Sequence, residues 1–393
     1  MIGNVPHLRF PEFSGEWETK SINDLADVIG GGTPDTTVKS YWDGGIQWFT
    51  PSEIGKNKFV DASLRTITED GLNNSSAKLL PPNTILLSSR ATIGECSLSL
   101  RECATNQGFQ SLVSKKCNVD FLYYLIQTKK KDLIRKSCGS TFLEISANEV
   151  RKIQVSVPSD VEQQKIAGLL SLIDKRIATQ NKIIEDLKKL KSAIVEMLLC
   201  NQNGESFKLR DVGCFVRGLT YANEDVTENK AATTVIRANN LNYGNNVDKD
   251  EVVYVNKTPT TSQILRKGDI VICMANGSSS LVGKNSYYPF NDGQSTIGAF
   301  CGIYRTSYPF VKWLMQSQRY KRLVYQSLQG GNGAIANLNG DDILNMSFPL
   351  IENGKSQSII FAIDAIEKSL MVNKSLQRLY YTQKSYLLKQ MFI

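Results

Sequence analysis

The second half of the sequence repeats the pattern of the first half, and this repeat constrains the fold more than any other feature. Three dipeptides recur in the same order: Ile173-Asp174 as Ile363-Asp364, Asn181-Lys182 as Asn373-Lys374, and Lys191-Ser192 as Lys384-Ser385. Upstream of them, residues 121–134 resemble residues 310–324. A repeat of about 190 residues is too long for the units of a solenoid. We therefore predict a tandem duplication in which each copy buries a core of its own.

Each copy divides into a globular part and a long helix. Residues 17–158 and 207–349 are rich in short β-type runs between Gly, Pro, Asn and Asp clusters, with one helix each around 119–137 and 308–328. We predict an α+β fold in which two tandem α/β domains are separated by two long antiparallel coiled-coil helices, as a pseudo-twofold duplication. The predicted boundaries are 1–158 for the first domain, 159–200 for the first helix, 201–352 for the second domain and 353–393 for the second helix.

A heptad pattern of apolar residues predicts the long helices. The residues predicted to lie on the pairing seam are spaced by sevens: Ile166, Ile173, Gln180, Leu187 and Ile194 in the first helix, and Ile359, Ile366, Asn373, Tyr380 and Leu387 in the second. A helix from Glu162 to Leu199 is about 57 Å long at 1.5 Å per residue, and alone it would expose a long apolar stripe. Each helix therefore needs a partner, and the other helix is the nearest one.

Gln180 and Asn373 are polar residues at the middle of the seam. If the helices run antiparallel about the pseudo-twofold, the two amides meet near its axis, where a polar pair fixes the register at some loss of stability. Alternatively, both amides lie at the solvated margin of a wide apolar stripe. The sequence alone does not decide between these two placements.

The composition is typical of a soluble, cytoplasmic protein. The chain has 393 residues, of which 41% are hydrophobic. No run of about twenty apolar residues is present, so we expect no membrane-spanning helix and no secretory signal. The eight cysteines include no C-x-x-C pair and resemble scattered reduced thiols. The formal net charge of +8 is compatible with a polyanionic partner but does not require one.

The sequence does not contain the residue patterns of common catalytic sites. It has 1 histidine, His7, which argues against Ser-His-Asp and Cys-His sites and against zinc. Residues 30–32 (GGG) run into turn and strand residues instead of a helix, and residues 277–285 (GSSSLVGKN) have the wrong spacing for a phosphate loop. We predict a strand–loop–strand hairpin at 277–285. Carboxylate pairs remain open, but we predict no enzymatic activity, no cofactor and no metal in this chain.

Six segments carry a resemblance to a known family. They are LRFPEFSGEW at 8–17, GGTPDTTVKSYWDGGIQWFTPSEI at 31–54, SRATIG at 89–94, TNQGF at 105–109, GSTFLEIS at 139–146 and VPSDVEQQKIAGLLSLID at 157–174. In this order they resemble the specificity subunit of type I restriction-modification systems, over essentially the full chain. The resemblance implies two target-recognition domains that each read one half of a bipartite site in double-stranded DNA. It implies that the helices set the spacing between the halves.

The resemblance also implies partners that supply the chemistry. Two methylation subunits that bind S-adenosylmethionine, and restriction subunits that use ATP and Mg²⁺, would assemble with this chain. Leu169, Ile183 and Leu376, at the margins of the seam, are the expected docking contacts. The competing interpretation is a non-catalytic, two-headed scaffold that binds proteins and has no DNA specificity.

Polar residues in loops after β-type runs are the predicted DNA contacts, because Arg pairs with guanine and Asn or Gln with adenine through two hydrogen bonds. In the first domain they are Thr33, Lys56, Lys58, Ser89, Arg90, Thr92, Asn106 and Gln107, with the lysines on phosphates. In the second they are Arg217, Arg237, Asn276, Ser278, Ser279, Lys284 and Gln294. For each of them the alternative is an ordinary exposed polar side chain. Trp42 and Trp48 lie beside DNA or, as large aromatics more often do, in the core.

The second copy departs from the first in two of these segments. It lacks a GGTP-type stretch, and GGNGAIANL at 330–338 replaces the GSTFLEIS pattern. These differences favour two domains that read different half-sites.

Overall fold

The computed structural model describes residues 4–139, 143–199, 204–329, 336–350 and 353–393. The chain forms two compact units. Unit 1 consists of Met1–Ile183 and Asn373–Ile393, and unit 2 consists of Ile184–Val372. Within the described ranges, no helix combines the length and the apolar character that a membrane crossing needs.

The strands and helices are numbered along the chain. The strands are β1 (Glu18–Ser21), β2 (Ala26–Gly30), β3 (Trp42–Phe49), β4 (Phe59–Val60), β5 (Arg65–Ile67), β6 (Ile85–Leu87), β7 (Cys96–Ser99), β8 (Cys103–Thr105), β9 (Gln110–Ser114), β10 (Gln154–Val157), β11 (Ser206–Lys208), β12 (Gly213–Arg217), β13 (Val226–Thr227), β14 (Thr233–Ile236), β15 (Val253–Val255), β16 (Ile270–Cys273), β17 (Ala275–Asn276), β18 (Asn285–Tyr287), β19 (Ser295–Ile297), β20 (Cys301–Thr306), β21 (Ala336–Asn337) and β22 (Ser347–Pro349). The helices are α1 (Ile22–Leu25), α2 (Glu69–Asn73), α3 (Val119–Thr128), α4 (Lys130–Arg135), α5 (Ala147–Arg151), α6 (Asp160–Leu199), α7 (Leu209–Val212), α8 (Val311–Leu314), α9 (Gln318–Gln329), α10 (Gly340–Leu344) and α11 (Asn353–Gln390).

Unit 1 contains three sheets, with strand orders β2-β9-β6-β7-β4, β5-β3-β8 and β1-β10. The apolar residues of β6 and β9 face α3, so that Ile85, Leu112 and Phe121 lie in one fully buried cluster. The second sheet packs Trp42 and Trp48 edge to face, with ring centroids 5.2 Å apart, and both are buried. The placement of these tryptophans in the core is therefore confirmed.

Unit 2 has a similar arrangement, with one strand fewer in its first sheet and one strand more in its second. Its sheets are β12-β20-β16-β18, β13-β15-β14-β19, β11-β22 and the short pair β17-β21. β14 runs parallel to β19, as β3 runs parallel to β8 in unit 1. β16 and β18 pair antiparallel and enclose residues 277–284, so the hairpin predicted there is confirmed.

The helices predicted at 119–137 and 308–328 are each divided in two, which corrects the sequence prediction. Lys129 leaves helical geometry and caps α3, its N–H donating to the carbonyls of Ile126 and Gln127, and α4 begins one residue later. In unit 2 the hydroxyl of Ser317 accepts a hydrogen bond from the N–H of Tyr320 at 3.2 Å, as an N-cap does, and α9 begins at Gln318.

Within unit 1, the first part of α6 packs against the last part of α11. Ile166, Ile173 and Leu387 are buried in the main core of this unit, with Tyr380 packed beside them. Gln180 is only 5% exposed, and its side-chain N–H donates to the side-chain oxygen of Asn373. Of the two placements that the sequence left open, the structure therefore shows the one in which the amides meet.

The direction of this pairing follows from two further contacts in unit 1. Asp174 pairs with Lys384 at 2.8 Å, and Asn181 accepts a hydrogen bond from Gln377. The partner's number falls as the residue number in α6 rises, so the two helix segments are antiparallel.

Within unit 2, the last part of α6 packs against the first part of α11. Lys191 pairs with Glu367, and Ile359 is buried in the core of the unit. On α6, Val195 is the buried residue here, while Ile194 lies at the edge of the core. The remaining seam residues, Leu187 and Ile366, are half-buried.

Candidate nucleic-acid interface

The glycines at 30–32 allow two backbone segments of unit 1 to approach closely. A Cβ atom on Gly31 would lie 2.0 Å from the carbonyl oxygen of Asn106, and the N–H of Gly32 donates to the carbonyl of Thr105 at 2.8 Å. This approach places Thr33 beside Gln107, and the hydroxyl of Thr33 donates to the side-chain oxygen of Gln107. Only glycine fits at Gly31, so the close approach of the two backbone segments accounts for this glycine, and a phosphate-binding loop is not needed to explain it.

A second loop lies against the same segment. The N–H of Ser89 donates to the carbonyl of Gly108 at 2.8 Å, so the turn at 88–92 is held beside residues 106–108. Arg90 follows directly and pairs with Glu144 at 2.8 Å, with both side chains partly exposed. We call Thr33, Arg90, Thr92, Asn106 and Gln107 the unit 1 edge. Five of the eight predicted DNA contacts of the first domain are therefore brought together.

Three predicted contacts of unit 1 are not part of this edge, and two of them lack the exposure that a DNA contact needs. Ser89 is fully buried. The side chain of Lys58 is 7% exposed and pairs with Asp120 at 2.6 Å. Its Nζ also donates to the hydroxyl of Ser171 at 2.7 Å, so the predicted phosphate contact is corrected to an internal ion pair. Lys56 is exposed, but it lines a cavity of about 540 Å³ together with Lys58.

Unit 2 has a backbone arrangement equivalent to the unit 1 edge. β14 pairs with β19 so that Ile236 is opposite Ile297, as Phe49 is opposite Thr105 in β3 and β8. A Cβ atom on Gly218 would lie 2.1 Å from the carbonyl oxygen of Gly298.

The second copy lacks a GGTP-type sequence, but the register shows which of its segments takes the same position. The N–H of Leu219 donates to the carbonyl of Ile297 at 2.8 Å, as that of Gly32 donates to Thr105. Residues 218–220 (GLT) therefore stand where residues 31–33 (GGT) stand in unit 1. Thr220 is exposed and was missed, because only one glycine and the threonine of the motif are retained.

Arg237 follows β14 as Thr50 follows β3. The backbone N–H of each is capped by the side chain three residues later, Asn240 at 2.9 Å and Glu53 at 2.8 Å. Arg237 and Asn276 line a groove of about 540 Å³ with Tyr221, Asn239 and Phe300. Arg217 and Thr220 line an adjoining groove of about 270 Å³.

The other predicted contacts of unit 2 are scattered. Ser278 and Ser279 are exposed in the loop after β17, and Lys284 is half-buried at the start of β18. Gln294 is exposed but precedes β19, and its carbonyl accepts from Thr234 at 3.1 Å. Since β14 and β19 are parallel, Gln294 lies at the opposite end of these strands from Arg237. It is not the counterpart of Gln107, whose position in the strand register belongs to Ala299.

Residues 14–189 match the model of the family described as the type I restriction modification DNA specificity domain. This match covers slightly less than half of the chain. Two relatives are the type I restriction enzyme MjaIX specificity subunit of Methanocaldococcus jannaschii, 39% identical over 194 residues (48% of this chain, 43% of the relative), and the EcoR124I/EcoR124II specificity subunit of Escherichia coli, 31% identical over 190 residues (46% of each). The matched regions cover less than half the length of each of these two relatives.

Solved structures extend the likeness in fold to nearly the whole chain. The type I restriction-modification S subunit of M. genitalium matches with a TM-score of 0.60 at 16% identity, covering 99% of both chains. A chain from a study of complex assembly and conformational transition of the type I R-M system matches with a TM-score of 0.56 at 12% identity, covering 98% of this chain and 99% of that one.

The LRFPEFSGEW segment at 8–17 is held against both long helices within unit 1. Arg9 makes two hydrogen bonds to the buried carboxylate of Glu162 near the start of α6, at 2.7 and 2.8 Å. Trp17 packs edge to face on Phe392, with ring centroids 6.4 Å apart. The LRFPEFSGEW segment therefore has a structural role within unit 1.

We call Arg237 and Asn276 the unit 2 edge, and these polar groups differ from those of the unit 1 edge. Arg90 lies opposite Glu144 in an isolated bridge, and the equivalent pair in unit 2 is Ala275 and Asn337. The guanidinium of unit 2 comes instead from Arg237. Residues 140–142 and 330–335, which belong to the two compared segments GSTFLEIS and GGNGAIANL, lie outside the described residues.

The fold shifts the pKa values of two groups of unit 2: Cys301, which lines the groove of Arg237, and Asp292, which precedes β19. Burial raises the pKa of the Cys301 thiol to about 12, so this thiol stays protonated. Partial burial raises the pKa of Asp292, but hydrogen bonds from Lys249, Ser295 and Tyr288 outweigh it and hold the pKa well below its usual range. Among the described residues, no group of three or more His, Cys, Asp and Glu side chains has the geometry to hold a metal ion.

Proposed function

We propose that this protein is the DNA-binding specificity subunit of a type I restriction-modification complex, with no catalytic activity of its own. Each unit recognises one half of a bipartite site in double-stranded DNA. The observation that carries this proposal is the recurrence of one backbone arrangement, at the unit 1 edge and in unit 2, with different polar side chains on it.

The chemistry of these edges suits base recognition. Sequence is read by hydrogen bonds to base edges, and a single small domain reaches only a few base pairs. Two domains that recognise different bases, joined in one chain, together give the specificity that a genome requires. The edges supply Arg90, Asn106 and Gln107 in unit 1 and Arg237 and Asn276 in unit 2, which are side chains that pair with guanine or adenine.

The domain organisation belongs to the same proposal. Target-recognition domains at 1–158 and 201–352 alternate with spacer helices at 159–200 and 353–393, as a pseudo-twofold duplication. The similar sheet arrangement of the two units supports it. The helices fix the number of unread base pairs between the half-sites.

The partners supply catalysis in the cytoplasm. Two methylation subunits carry S-adenosylmethionine, and restriction subunits carry ATP and Mg²⁺. Ile183 is an exposed apolar residue on α6, and Leu376 is half-buried on α11, so apolar area is available for docking there. Leu169 packs against the core of unit 1 and contributes less.

Binding of the full chain to random duplex DNA, measured against salt concentration, tests the proposal. A log–log slope equivalent to several released counterions is expected, because lysine and arginine side chains neutralise phosphates. A flat response, with no sequence enriched from a random duplex library, would instead favour a scaffold that binds proteins.

A further inference from the structure

The groove in unit 2 that contains Arg237 has the properties of a base-reading site. It has a volume of about 540 Å³, and none of its lining side chains is acidic. Asn239 and Asn276 add amide groups to its rim, and Tyr221 forms part of its wall. The groove therefore presents hydrogen-bond donors and aromatic surface with no carboxylate to neutralise the guanidinium.

Arg237 lacks a partner for one of its donors. Its Nε atom is buried and has no hydrogen-bond partner in the described part of the chain, and no ion pair involves Arg237 there. A buried donor without an acceptor is unfavourable, so a ligand that supplies an acceptor is favoured. Guanine presents two acceptors, O6 and N7, in the geometry that a guanidinium matches.

Phe300 stands at the mouth of this groove and is 71% exposed. Its backbone is fixed, because its carbonyl accepts hydrogen bonds from the N–H groups of Met274 at 2.8 Å and Ala275 at 3.3 Å. In unit 1 the equivalent carbonyl belongs to Gly108, which accepts from Ser89. Unit 2 therefore carries an exposed aromatic ring, on a rigid turn, where unit 1 carries none.

We propose that this groove binds the edge of a guanine through Arg237 while Phe300 packs against the neighbouring base pair. The two residues together determine the half-site that unit 2 reads. The inference rests on the proposed function and names the residues and the base that carry it in this unit.

A phosphate is a poorer occupant of the groove. A phosphate contact carries no sequence information, and the groove that contains the buried, unpaired Nε of Arg237 is also lined by the aromatic side chains of Tyr221 and Phe300. An exposed ring such as Phe300 gains nothing from a phosphate, but it stacks on bases and contacts the methyl group of thymine.

Selection from a random duplex library with the full-length chain tests this inference. The variants are Arg237→Lys, Phe300→Ala and, as a control on an exposed aromatic outside the groove, Tyr325→Ala on α9. Arg237→Lys keeps the charge but loses the two-pronged geometry, so the preference for guanine at one position should fall about ten- to a hundredfold with an unchanged salt slope. Phe300→Ala should lower affinity for the same half-site about five- to fiftyfold.

Four outcomes separate the possibilities, once circular dichroism shows that each variant is folded. Loss confined to one half-site, with Tyr325→Ala unchanged, supports the inference. Wild-type half-site preferences in both groove variants would overturn it, and so would a uniform loss on all sequences with a lower salt slope. If the wild-type chain itself enriched no sequence, the proposed function would fail, whatever the variants did.

Discussion

Asp174→Asn should destabilise unit 1, because Asp174 joins three elements there. Its carboxylate accepts a hydrogen bond from the phenol of Tyr124 on α3 at 2.6 Å and pairs with Lys384 on α11 at 2.8 Å. Burial, reinforced by this carboxylate, raises the pKa of Tyr124, so the phenol stays protonated and donates. The Nζ of Lys384 also lies 5.4 Å from the centre of the Tyr124 ring.

The expected magnitude follows from the burial of the pair. The side chains of Lys384 and Asp174 are 16% and 13% exposed. Breaking a fully buried pair by removing one charge costs about 3–5 kcal/mol. Residual solvation of this pair reduces the expected loss for Asp174→Asn to about 2–4 kcal/mol. Lys384→Met combined with Asp174→Asn removes both charges and should restore part of the loss.

Urea denaturation followed by far-ultraviolet circular dichroism measures the free energies of unfolding. The control is Glu185→Gln on the same helix, whose pair with Lys189 at 2.6 Å is exposed and should contribute almost nothing. A loss below about 0.5 kcal/mol for Asp174→Asn, or single-variant losses that simply add in the double variant, would refute the reasoning.

Three further predictions concern the seam, acid stability and the thiols. Replacing Gln180 and Asn373 together with leucine should raise the melting temperature and loosen the helix register, whereas a lower melting temperature would count against a register pair. The folded-state pKa of Asp292 lies below the unfolded value of about 3.9, so its carboxylate adds stability above that pH, and this stability is lost as the pH falls below it. The urea midpoints of wild type and Asp292→Asn should therefore converge from pH 7 towards acid, and a constant difference would exclude this linkage. In the native chain, a thiol reagent should label the exposed Cys138 and Cys214 rapidly and leave the buried Cys96, Cys103, Cys273 and Cys301 unmodified; equal labelling rates would contradict the burial.

Periodic features were predictable from the sequence. The heptad spacing of Ile166 and Ile173 identified the long helix and its buried face, since a 3.5-residue repeat places these side chains on one side. The same spacing placed Gln180 and Asn373 at the middle of the seam, but it did not decide whether they meet, which the hydrogen bond between them in the fold settles. Burial of Trp42 and Trp48 followed from their size.

Features set by strand register and three-dimensional contacts were not predictable. Gln294 was a predicted DNA contact of the second domain, whereas the strand registers put Ala299, and not Gln294, at the position of Gln107. Lys58 reads as a surface lysine, and only the fold brings Asp120 and Ser171 to it. The proposed contact of Phe300 with a base pair depends on the exposure of its ring. Neighbouring residues in the sequence do not reveal that exposure.

Lengthening both long helices by one heptad tests the central claim, that these helices set the spacing between two half-sites. Seven residues are inserted after Ile183 and seven after Val372, where the chain passes between the units, so the contacts inside each unit are retained. The added rise is about 10 Å at 1.5 Å per residue, which corresponds to at most about three base pairs of duplex.

The readout is a genome-wide map of methylated adenines in the host carrying either the wild-type or the lengthened chain. The account predicts that both half-sites stay the same while the unread gap between them widens by about one to three base pairs. The same heptad placed in one helix only breaks the antiparallel register and should abolish methylation. An unchanged gap with the doubly lengthened chain would contradict the account.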